Sequence, residues 1–469
     1  MPLLHPGRLF PADASIRAIA LTLYDRVADL PIVSPHGHTD PAWFAENGRF
    51  ADPASLLLTP DHYVLRMLRS QGVSYDDLGV PRKDGSVTAP PPGPLGECCA
   101  PIGVCSRAPL PLFGFSTAWR RFSTFMSGWA STMPTALFDK VEERLNSPDL
   151  RPRRVLDRCN VETIATTEFA LDSLTNHGRL QQLGLGARIR TTYRPDDVCD
   201  PEVPDFANNL ARFGEITGKD PTVWAGMLDA HRVRRAQFRA MGATATDHGT
   251  PTALTVDLAV TEKQALLDRA LAAKLDPKGA ELFRAQMLTE MAGLSVEDGM
   301  VMQLHAGVRR NTDPVLLSQR GPNLGADVPV RCDFVGGLQA LLSRYGNSPD
   351  FRLIVFTLDE TAYARELAPM AGYWPAIRLG PPWWFHDSPK GMRRYLDAMH
   401  ESAGYYNLAG FNDDTRALLS IPARHDVWRR EVCGHLAQMV AEHRLSLSSA
   451  SELGEWLCYN AAKEAYRLP

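Results

Sequence analysis

Residues 30–38 read LPIVSPHGH, an apolar run that ends in two histidines separated by one glycine. A short apolar run of this kind is typical of a buried β-strand. Side chains at positions i and i+2 of a strand face the same side, so His36 and His38 point the same way. Imidazole nitrogens bind Zn²⁺ and similar divalent ions, and the two histidines are therefore candidate ligands of one metal.

The same pattern, a short β-rich run followed by polar residues and a helical segment, recurs along the chain. The runs cover residues 30–38, 161–168, 190–196, 242–249, 301–307, 353–360, 376–387 and 409–416. Parallel strands need long crossovers, so this alternation predicts an α/β fold with a parallel sheet. Eight units favour a closed (β/α)8 barrel of the TIM type, whose active site lies at the C-terminal ends of the strands.

The spacing of the runs predicts one barrel domain, residues 1–469, with a helical insertion at residues 40–155 between the first two strands. Within the insertion, residues 89–134 are anomalous. The stretch 89–119 is rich in proline and holds three of the eight cysteines. One interpretation is a flexible loop. The other is a local shift of the reading frame, because codons can be chosen for Glu97 to Trp119 whose shifted frame encodes an amphipathic helix.

Bulk composition excludes several classes of protein. The chain has 469 residues, of which 44% are hydrophobic and 22% charged, as in an ordinary globular protein. A net charge of -4 offers no basic surface for nucleic acid. No apolar run approaches the roughly 20 residues that cross a bilayer, and the N-terminus lacks a secretory signal. The expected location is the cytoplasm, where the cysteines would be free thiols.

A carboxylate ends the eighth run, in GFNDDTR. The first and eighth strands are neighbours in a closed barrel, so Asp414 can reach a metal held by His36 and His38. Asp413 competes for this role, because adjacent residues point to opposite sides. One of the two is free to cap the helix that follows.

Other candidates stand at the ends of further strands: His248 ends the fourth run and His305 the fifth, and each has a core histidine as its alternative. Arg194 follows TTY, where its guanidinium suits a carboxylate, although a surface ion pair would look the same. Arg310 and Arg416 add positive charge, which predicts an anionic substrate.

Aromatic side chains stand near the end of the seventh run as Trp383, Trp384 and Phe385. The two tryptophans point to opposite sides, so one can pack in the barrel wall while the other faces the mouth and a sugar ring. The alternative is that both lie in the core. Tyr63, in DHYVLRMLRSQGV, lies on a predicted helix of the insertion, and the residues around it assign it no role.

Together these segments resemble the uronate isomerase (glucuronate isomerase) family of the amidohydrolase superfamily. The similarity is carried in order by HGHTDP, DHYVLRMLRSQGV, ATTE, TTYRPDD, TDHG, MQLHAGVRRN, PPWWFHDSPKGM, GFNDDTRALLSIPARHD and EWLCYNAAKEAYRL. Residues 80–135 depart from the family, which has a helical segment there.

The resemblance implies a distorted barrel and one divalent metal, usually zinc, on His36, His38 and Asp414. It implies interconversion of D-glucuronate with D-fructuronate and of D-galacturonate with D-tagaturonate in hexuronate catabolism. The partner is then a small hexuronate, and a homo-oligomer is compatible with the chain. The resemblance places Tyr63, Arg194, His305, Trp384 and Arg416 around the substrate, and the strand-end residues His248 and Arg310 are further candidates to bind it.

The mechanism that follows gives Asp414 the ring-opening proton and the metal the role of a Lewis acid. Arg194, with Arg310 as a second candidate, binds the C6 carboxylate. Arg416 stabilises the enediol-like charge, His305 belongs to the catalytic group, and Tyr63 or a water on the metal relays the proton between C2 and C1.

Two other functions stay open. Metal-dependent hydrolases of the same superfamily share the H-x-H motif and the late aspartate, and use the metal to activate water. A barrel that binds sugar acids without turnover is the second alternative, because residues 89–134 depart from the family. The basic, tryptophan-lined mouth favours the isomerase.

Overall fold

The computed structural model describes residues 5–51, 53, 56, 61–87 and 141–469. The strands are β1 Ile32–Ser34, β2 Val161–Phe169, β3 Ile189–Arg194, β4 Ala245–Thr250, β5 Val301–Ala306, β6 Val308–Arg309, β7 Val328–Pro329, β8 Leu353–Phe356 and β9 Ile377–Leu379. The helices are α1 Ala14–Val27, α2 Pro41–Glu46, α3 His62–Ser70, α4 Pro152–Arg158, α5 Thr175–Gln182, α6 Asp196–Cys199, α7 Phe206–Thr217, α8 Trp224–Ala240, α9 Val260–Leu271, α10 Pro277–Asp298, α11 Pro314–Arg320, α12 Phe334–Gly337, α13 Gln339–Tyr345, α14 Glu360–Ala362, α15 Ala368–Ala371, α16 Pro389–Met399, α17 Ile421–Ala441, α18 Leu447–Glu455 and α19 Ala461–Ala465. Within these residues, no helix combines the length and the apolar character of a membrane span.

Seven strands form one parallel sheet in the order β1-β2-β3-β4-β5-β8-β9. They correspond to the first seven predicted runs, and each pairs with the next of those runs along the chain. Helices make the crossovers between them, as parallel pairing requires. A short antiparallel pair, β6-β7, is separate from this sheet. The predicted α/β fold of the TIM type is confirmed.

An irregular segment, residues 408–415, fills the eighth position of the barrel. The amide of Ala409 donates to the carbonyl of Leu379 at 2.8 Å, and the amide of His38 donates to the carbonyl of Thr415 at 3.0 Å. The segment therefore joins the last strand to the first and closes the ring. The eighth run was expected to be a strand, and it takes the predicted place without forming a regular ladder.

Side chains of β5 show how the barrel is layered. Val301 and His305 point into the barrel, where Val301 packs with Phe356 and Tyr466. Met302 and Leu304, at the alternate positions, pack into the layer between the sheet and the surrounding helices. Both faces of the strand are buried, as in other parallel sheets.

The end of the barrel opposite the predicted mouth is closed by Tyr466, which follows α19 and is 1% exposed. Its hydroxyl donates to Gln303 Oε1 at 3.0 Å and accepts from Asn412 Nδ2 at 3.3 Å. Gln303 Nε2 in turn donates to the carbonyl of Thr246 at 3.3 Å. These three side chains and the Thr246 carbonyl are called the floor below, and they join β4, β5 and the closing segment across the barrel.

Between β1 and β2 the described residues form α2, α3 and α4. Asp61 caps α3, because its carboxylate accepts from the amides of Tyr63 and Val64 at 2.9 and 3.2 Å. The cap fixes the residue at which the helix begins and places Tyr63 in its first turn. The whole of the anomalous stretch 89–134 lies outside the described residues.

Candidate active site

Three side chains converge where β1 meets the closing segment. Asp414 Oδ1 lies 3.6 Å from His36 Nε2 and 3.2 Å from His38 Nε2. The ligand atoms of all three lie within 4.8 Å of one another. Burial lowers the pKa of His38, so this imidazole is neutral at pH 7, the form that binds a metal. The donor set therefore suits a divalent metal ion.

The two adjacent aspartates of the closing segment point to opposite sides. Asp413 is fully buried, with Oδ2 3.2 Å from His425 Nε2, whereas Asp414 joins the two histidines. Burial raises the pKa of Asp414, but His38 and His36 outweigh it and hold that pKa well below its ordinary value. Asp414 also has a φ of 41°, a strained backbone conformation of the kind that concentrates at functional sites. The structure thus places Asp414, and not Asp413, beside the histidines.

A second group of possible ligands, His36, Asp247 and His305, also lies within 4.8 Å. Asp247 is fully buried, and both of its oxygens are engaged: His305 Nδ1 is 2.6 Å from Oδ1 and Arg194 Nη1 is 3.1 Å from Oδ2. A metal there would have to displace Arg194. The first group is more accessible, since 27% of the His38 side chain is exposed, and it is the better candidate.

The carboxylate of Asp247 orients His305. A proton on Nδ1 satisfies their contact and leaves Nε2 as an acceptor. Nε2 is buried and has no hydrogen-bond partner among the described residues. The ring stacks on His36 at 4.9 Å and on Phe356 at 4.1 Å. Nε2 is therefore the atom of this ring that is left for a ligand.

Three guanidinium groups lie around the mouth, and their positive charges repel one another. They belong to Arg194, Arg310 and Arg416. A Cβ added to Gly249 would lie 2.5 Å from Arg194 Nη2 and 3.5 Å from Arg310 Nη2, so both cations reach the backbone at this glycine. Burial lowers the pKa of Arg310, and the charge of Arg194 lowers it further. Asp327 pairs with Arg310 at 3.3 Å. Repelling cations of this kind favour a bound anion.

The two tryptophans take different partners, as alternation along the chain predicts. Trp383 packs edge-on against His305, with ring centroids 4.7 Å apart. Trp384 packs edge-on against His62, with centroids 4.1 Å apart, and so faces the insertion helix α3. Tyr63, also on α3, donates its hydroxyl proton to Asp387 Oδ1 at 2.8 Å.

His248, expected to bind the substrate, is not brought into this group. It faces the outer side of β4, where Nε2 lies 2.9 Å from Thr246 Oγ1. Its neighbour Asp247 faces inward instead, beside His305 and Arg194. Adjacent residues of a strand face opposite sides, which accounts for the difference between the two side chains. Nothing in the sequence pointed to His62, because its contact with the site depends on how α3 docks.

A family model described as glucuronate isomerase matches residues 14–83 and 116–466. The chain belongs to the glucuronate isomerase family. The uronate isomerase of Phenylobacterium zucineum is 51% identical over 465 residues, which cover 99% of this chain and 97% of that protein. Among solved structures, glucuronate isomerase from Caulobacter crescentus is 48% identical with a TM-score of 0.96, covering 99% of this chain and 97% of that one. Uronate isomerase from Thermotoga maritima is 25% identical with a TM-score of 0.88, covering 99% of each chain.

The predicted family is therefore confirmed, and the chain is an isomerase of that family. The glucuronate isomerase model leaves out residues 84–115. This gap includes most of the proline-rich stretch 89–119 that stands out by composition. The family pattern and the composition thus change at the same place.

Proposed function

We propose that this chain is a uronate isomerase that converts D-glucuronate to D-fructuronate and D-galacturonate to D-tagaturonate. One observation carries the proposal: in a chain of this family, a donor set suited to a metal and a pair of converging arginines share one barrel mouth. A hexuronate offers matching chemistry, with hydroxyl and carbonyl oxygens at C1 and C2 and a carboxylate at C6. The reaction belongs to hexuronate catabolism in the cytoplasm.

His36, His38 and Asp414 would hold the metal. Two imidazoles and one carboxylate suit Zn²⁺, and three protein ligands are typical of its catalytic sites. When bound, the ion acts as a Lewis acid on the sugar oxygens.

Arg194 and Arg310 bind the C6 carboxylate. Their Nη2 atoms approach the same point beside Gly249. Asp196 and Asp247 hold Arg194 from its other nitrogens, at 2.7 and 3.1 Å, which orients the free nitrogen toward the mouth. Charge-assisted hydrogen bonds from two guanidinium groups select an acid over a neutral sugar.

The proton-transfer steps are carried out by side chains at the C1 end of the substrate, opposite the C6 carboxylate. Asp414, ionised at neutral pH because its pKa is held low, takes the proton of the anomeric hydroxyl as the ring opens. His305 Nε2 accepts a hydrogen bond from a sugar hydroxyl. Arg416 stabilises the negative charge of the enediol-like transition state. Trp384 packs against the sugar, and Tyr63 contacts it near C1 and C2.

The domain organisation is part of the proposal: residues 1–469 form one barrel domain, and residues 40–155 form a helical insertion within it. The helices α2, α3 and α4 support this insertion. The contact of Trp384 with His62 supports an insertion whose first part reaches the mouth. The insertion therefore contributes to the site through residues that lie outside the anomalous stretch 89–134.

A metal-dependent hydrolase is disfavoured by one further observation. A two-metal hydrolase needs a bridging group at the mouth, and Glu168, near the C-terminal end of β2, is a carboxylate that could serve there. Glu168 instead faces outward from β2, where its carboxylate lies 3.3 Å from His177 Nε2. Asp247 is engaged by Arg194, so the mouth suits one metal and an acid.

The test is turnover. The purified protein is treated with a chelator and incubated with D-glucuronate or D-galacturonate, with and without added Zn²⁺, and ketose formation is followed. We expect conversion that depends on the added metal. A folded, metal-loaded protein that converts neither acid would overturn the proposal, and the coding DNA of residues 89–119 would then show whether a shifted frame accounts for the loss.

A further inference from the structure

One terminal nitrogen of Arg310 is held by a buried carboxylate while the other reaches the mouth. Nη1 donates to Asp327 Oδ2 at 3.3 Å, whereas Nη2 is the atom that approaches Gly249. Asp327 is only 2% exposed, and its other oxygen, Oδ1, accepts from the amide of Asn311 at 2.7 Å. The backbone therefore fixes one oxygen of Asp327, and the second oxygen is directed at Arg310.

The short pair β6-β7 sets Asp327 opposite Arg310. Its antiparallel register pairs Arg309 with Val328. The same register, continued by one residue, brings Arg310 opposite Asp327, and directly opposed side chains of an antiparallel pair lie close together. The contact between this carboxylate and this guanidinium is therefore built into the local backbone.

The segment that carries Asp327 is seated on the insertion helix α3 at Gly325. This glycine has a φ of 87°, in the left-handed region. A Cβ added to it would lie 2.8 Å from the carbonyl oxygen of His62 and 2.9 Å from Arg66 Cβ. Only a residue without a side chain can come this close to the first turn of the helix. The position of α3 and that of Asp327, two residues away, are therefore coupled.

Apolar packing on both sides of Gly325 secures this contact. Leu324 and Ala326 pack against a cluster that includes three buried residues of α3, namely Val64, Leu65 and Leu68. The hydroxyl of Tyr75 also donates to the carbonyl of Leu324 at 2.6 Å. The insertion thus holds the segment 324–327 through hydrophobic contacts and a hydrogen bond.

Asp327 has two opposite effects on a bound anion. Its negative charge offsets part of the positive charge of Arg310 and Arg194, which weakens the attraction for an acid. Its oxygen orients the guanidinium of Arg310, which strengthens binding by placing the donor in advance. Burial, and then the charge of Arg194, lower the pKa of Arg310, and the charge of Asp327 opposes this shift. Replacement of the carboxylate by an amide separates the two effects.

We propose that Asp327 is a positioning residue for the substrate carboxylate: it holds Nη1 of Arg310 so that Nη2 is presented to the acid beside Arg194, and the contact of Gly325 with α3 sets its place. The inference rests on the proposed function, which assigns the C6 carboxylate to Arg194 and Arg310. The insertion thereby contributes to the recognition of an acid.

Asp327→Asn tests orientation against charge. The single oxygen of the amide still accepts from Asn311, which leaves the NH₂ group facing Arg310, and two donors form no hydrogen bond. Arg310 loses its anchor, so KM for D-glucuronate should rise about 10-fold, with a smaller change in kcat. If Asp327 acted only through its charge, its removal would lower KM, because the mouth would become more positive. An unchanged or lower KM overturns the inference.

A double variant shows whether Asp327 acts through Arg310. In the Arg310→Met background, Asp327→Asn should cause no further rise in KM, because the group that it positions is gone. An equal rise in both backgrounds overturns the inference. Glu431→Gln is the matched control, since Glu431 is also a buried carboxylate paired with an arginine, Arg393, at 2.9 Å. It should leave KM and kcat unchanged.

Gly325→Ala tests the contact with α3. Its matched control is Gly404→Ala, because Gly404 has a similar φ of 75° but a Cβ added there meets nothing within 4 Å. Both variants carry the strain of a positive φ, and only the first must displace the backbone of α3. We expect KM to rise about 3- to 10-fold in Gly325→Ala and to stay unchanged in Gly404→Ala. The same KM in both variants overturns the coupling to the insertion.

A binding measurement is independent of turnover. L-gulonate keeps the C6 carboxylate of D-glucuronate but has an alcohol at C1, so it cannot be isomerised. Calorimetry on the Zn²⁺-loaded protein should give a dissociation constant about 10-fold higher for Asp327→Asn than for the wild type. This loss in a protein that converts neither uronate would refute the proposed function and leave the inference standing. A wild type that converts uronates, with equally tight L-gulonate binding in Asp327→Asn, would overturn the inference alone.

Discussion

The mouth and the floor of this barrel treat their buried polar groups in opposite ways. At the floor, Tyr466, Gln303 and Asn412 are joined by hydrogen bonds to one another, and Gln303 reaches a backbone carbonyl. At the mouth, His36 Nδ1 and His305 Nε2 are buried without a hydrogen-bond partner among the described residues. The two ends are only a few residues apart on the same strands.

The difference shows where the fold serves stability and where it serves chemistry. A buried polar group without a partner costs about 1–3 kcal/mol. The floor avoids that cost, whereas the mouth retains it together with converging arginines and the strained Asp414. His305 Nε2 is thereby available to a substrate, so the contrast makes different predictions for variants at each end.

The largest effect is expected at the mouth from Asp414→Asn. Asparagine keeps the shape but cannot take the ring-opening proton, so kcat should fall by about 10²- to 10⁴-fold. Ketose formation measures the loss, and the melting temperature shows whether the variant stays folded. Substantial remaining activity would point to Asp413 or to another base. Asp414 would then not be the catalytic group that distinguishes the mouth from the floor.

A smaller effect on binding is expected from Arg194→Met. The loss of charge-assisted hydrogen bonds, worth about 1.5–3 kcal/mol, should raise KM by about 10- to 100-fold and change kcat less. Arg393→Met is a matched control, because Arg393 on α16 pairs with the buried Glu431 on α17 at 2.9 Å, between two outer helices. An unchanged KM in the Arg194 variant would contradict its role as the carboxylate anchor.

The smallest effect on activity is expected at the floor, from Tyr466→Phe. It removes the donor to Gln303 and should lower the free energy of unfolding by about 1–3 kcal/mol, as for other buried groups left unpaired. Urea unfolding measures this change, and kcat and KM should stay close to those of the wild type. A large fall in kcat would show that the floor shapes the mouth, and the two ends could no longer be treated separately.

Much of the fold and part of the site could be predicted because the rules involved are local. The alternation of strand and helix predicts the parallel barrel, and the HGH motif predicts two imidazoles on one face whatever surrounds them. The rest of the site depends on contacts between distant positions. Tyr63 and Asp387 stand 324 positions apart, and no local pattern in either segment predicts the contact between them.

The sequence by itself determined the family, the barrel and the identity of the metal-suited histidines. Only the tertiary structure decided between Asp414 and Asp413, and placed His248 on the outer side of β4 with Asp247 inside. The physical reason is that both faces of a barrel strand are buried, so hydrophobic alternation does not mark which face is inside. Register and closure of the ring make that choice, and a shift of one residue would reverse it.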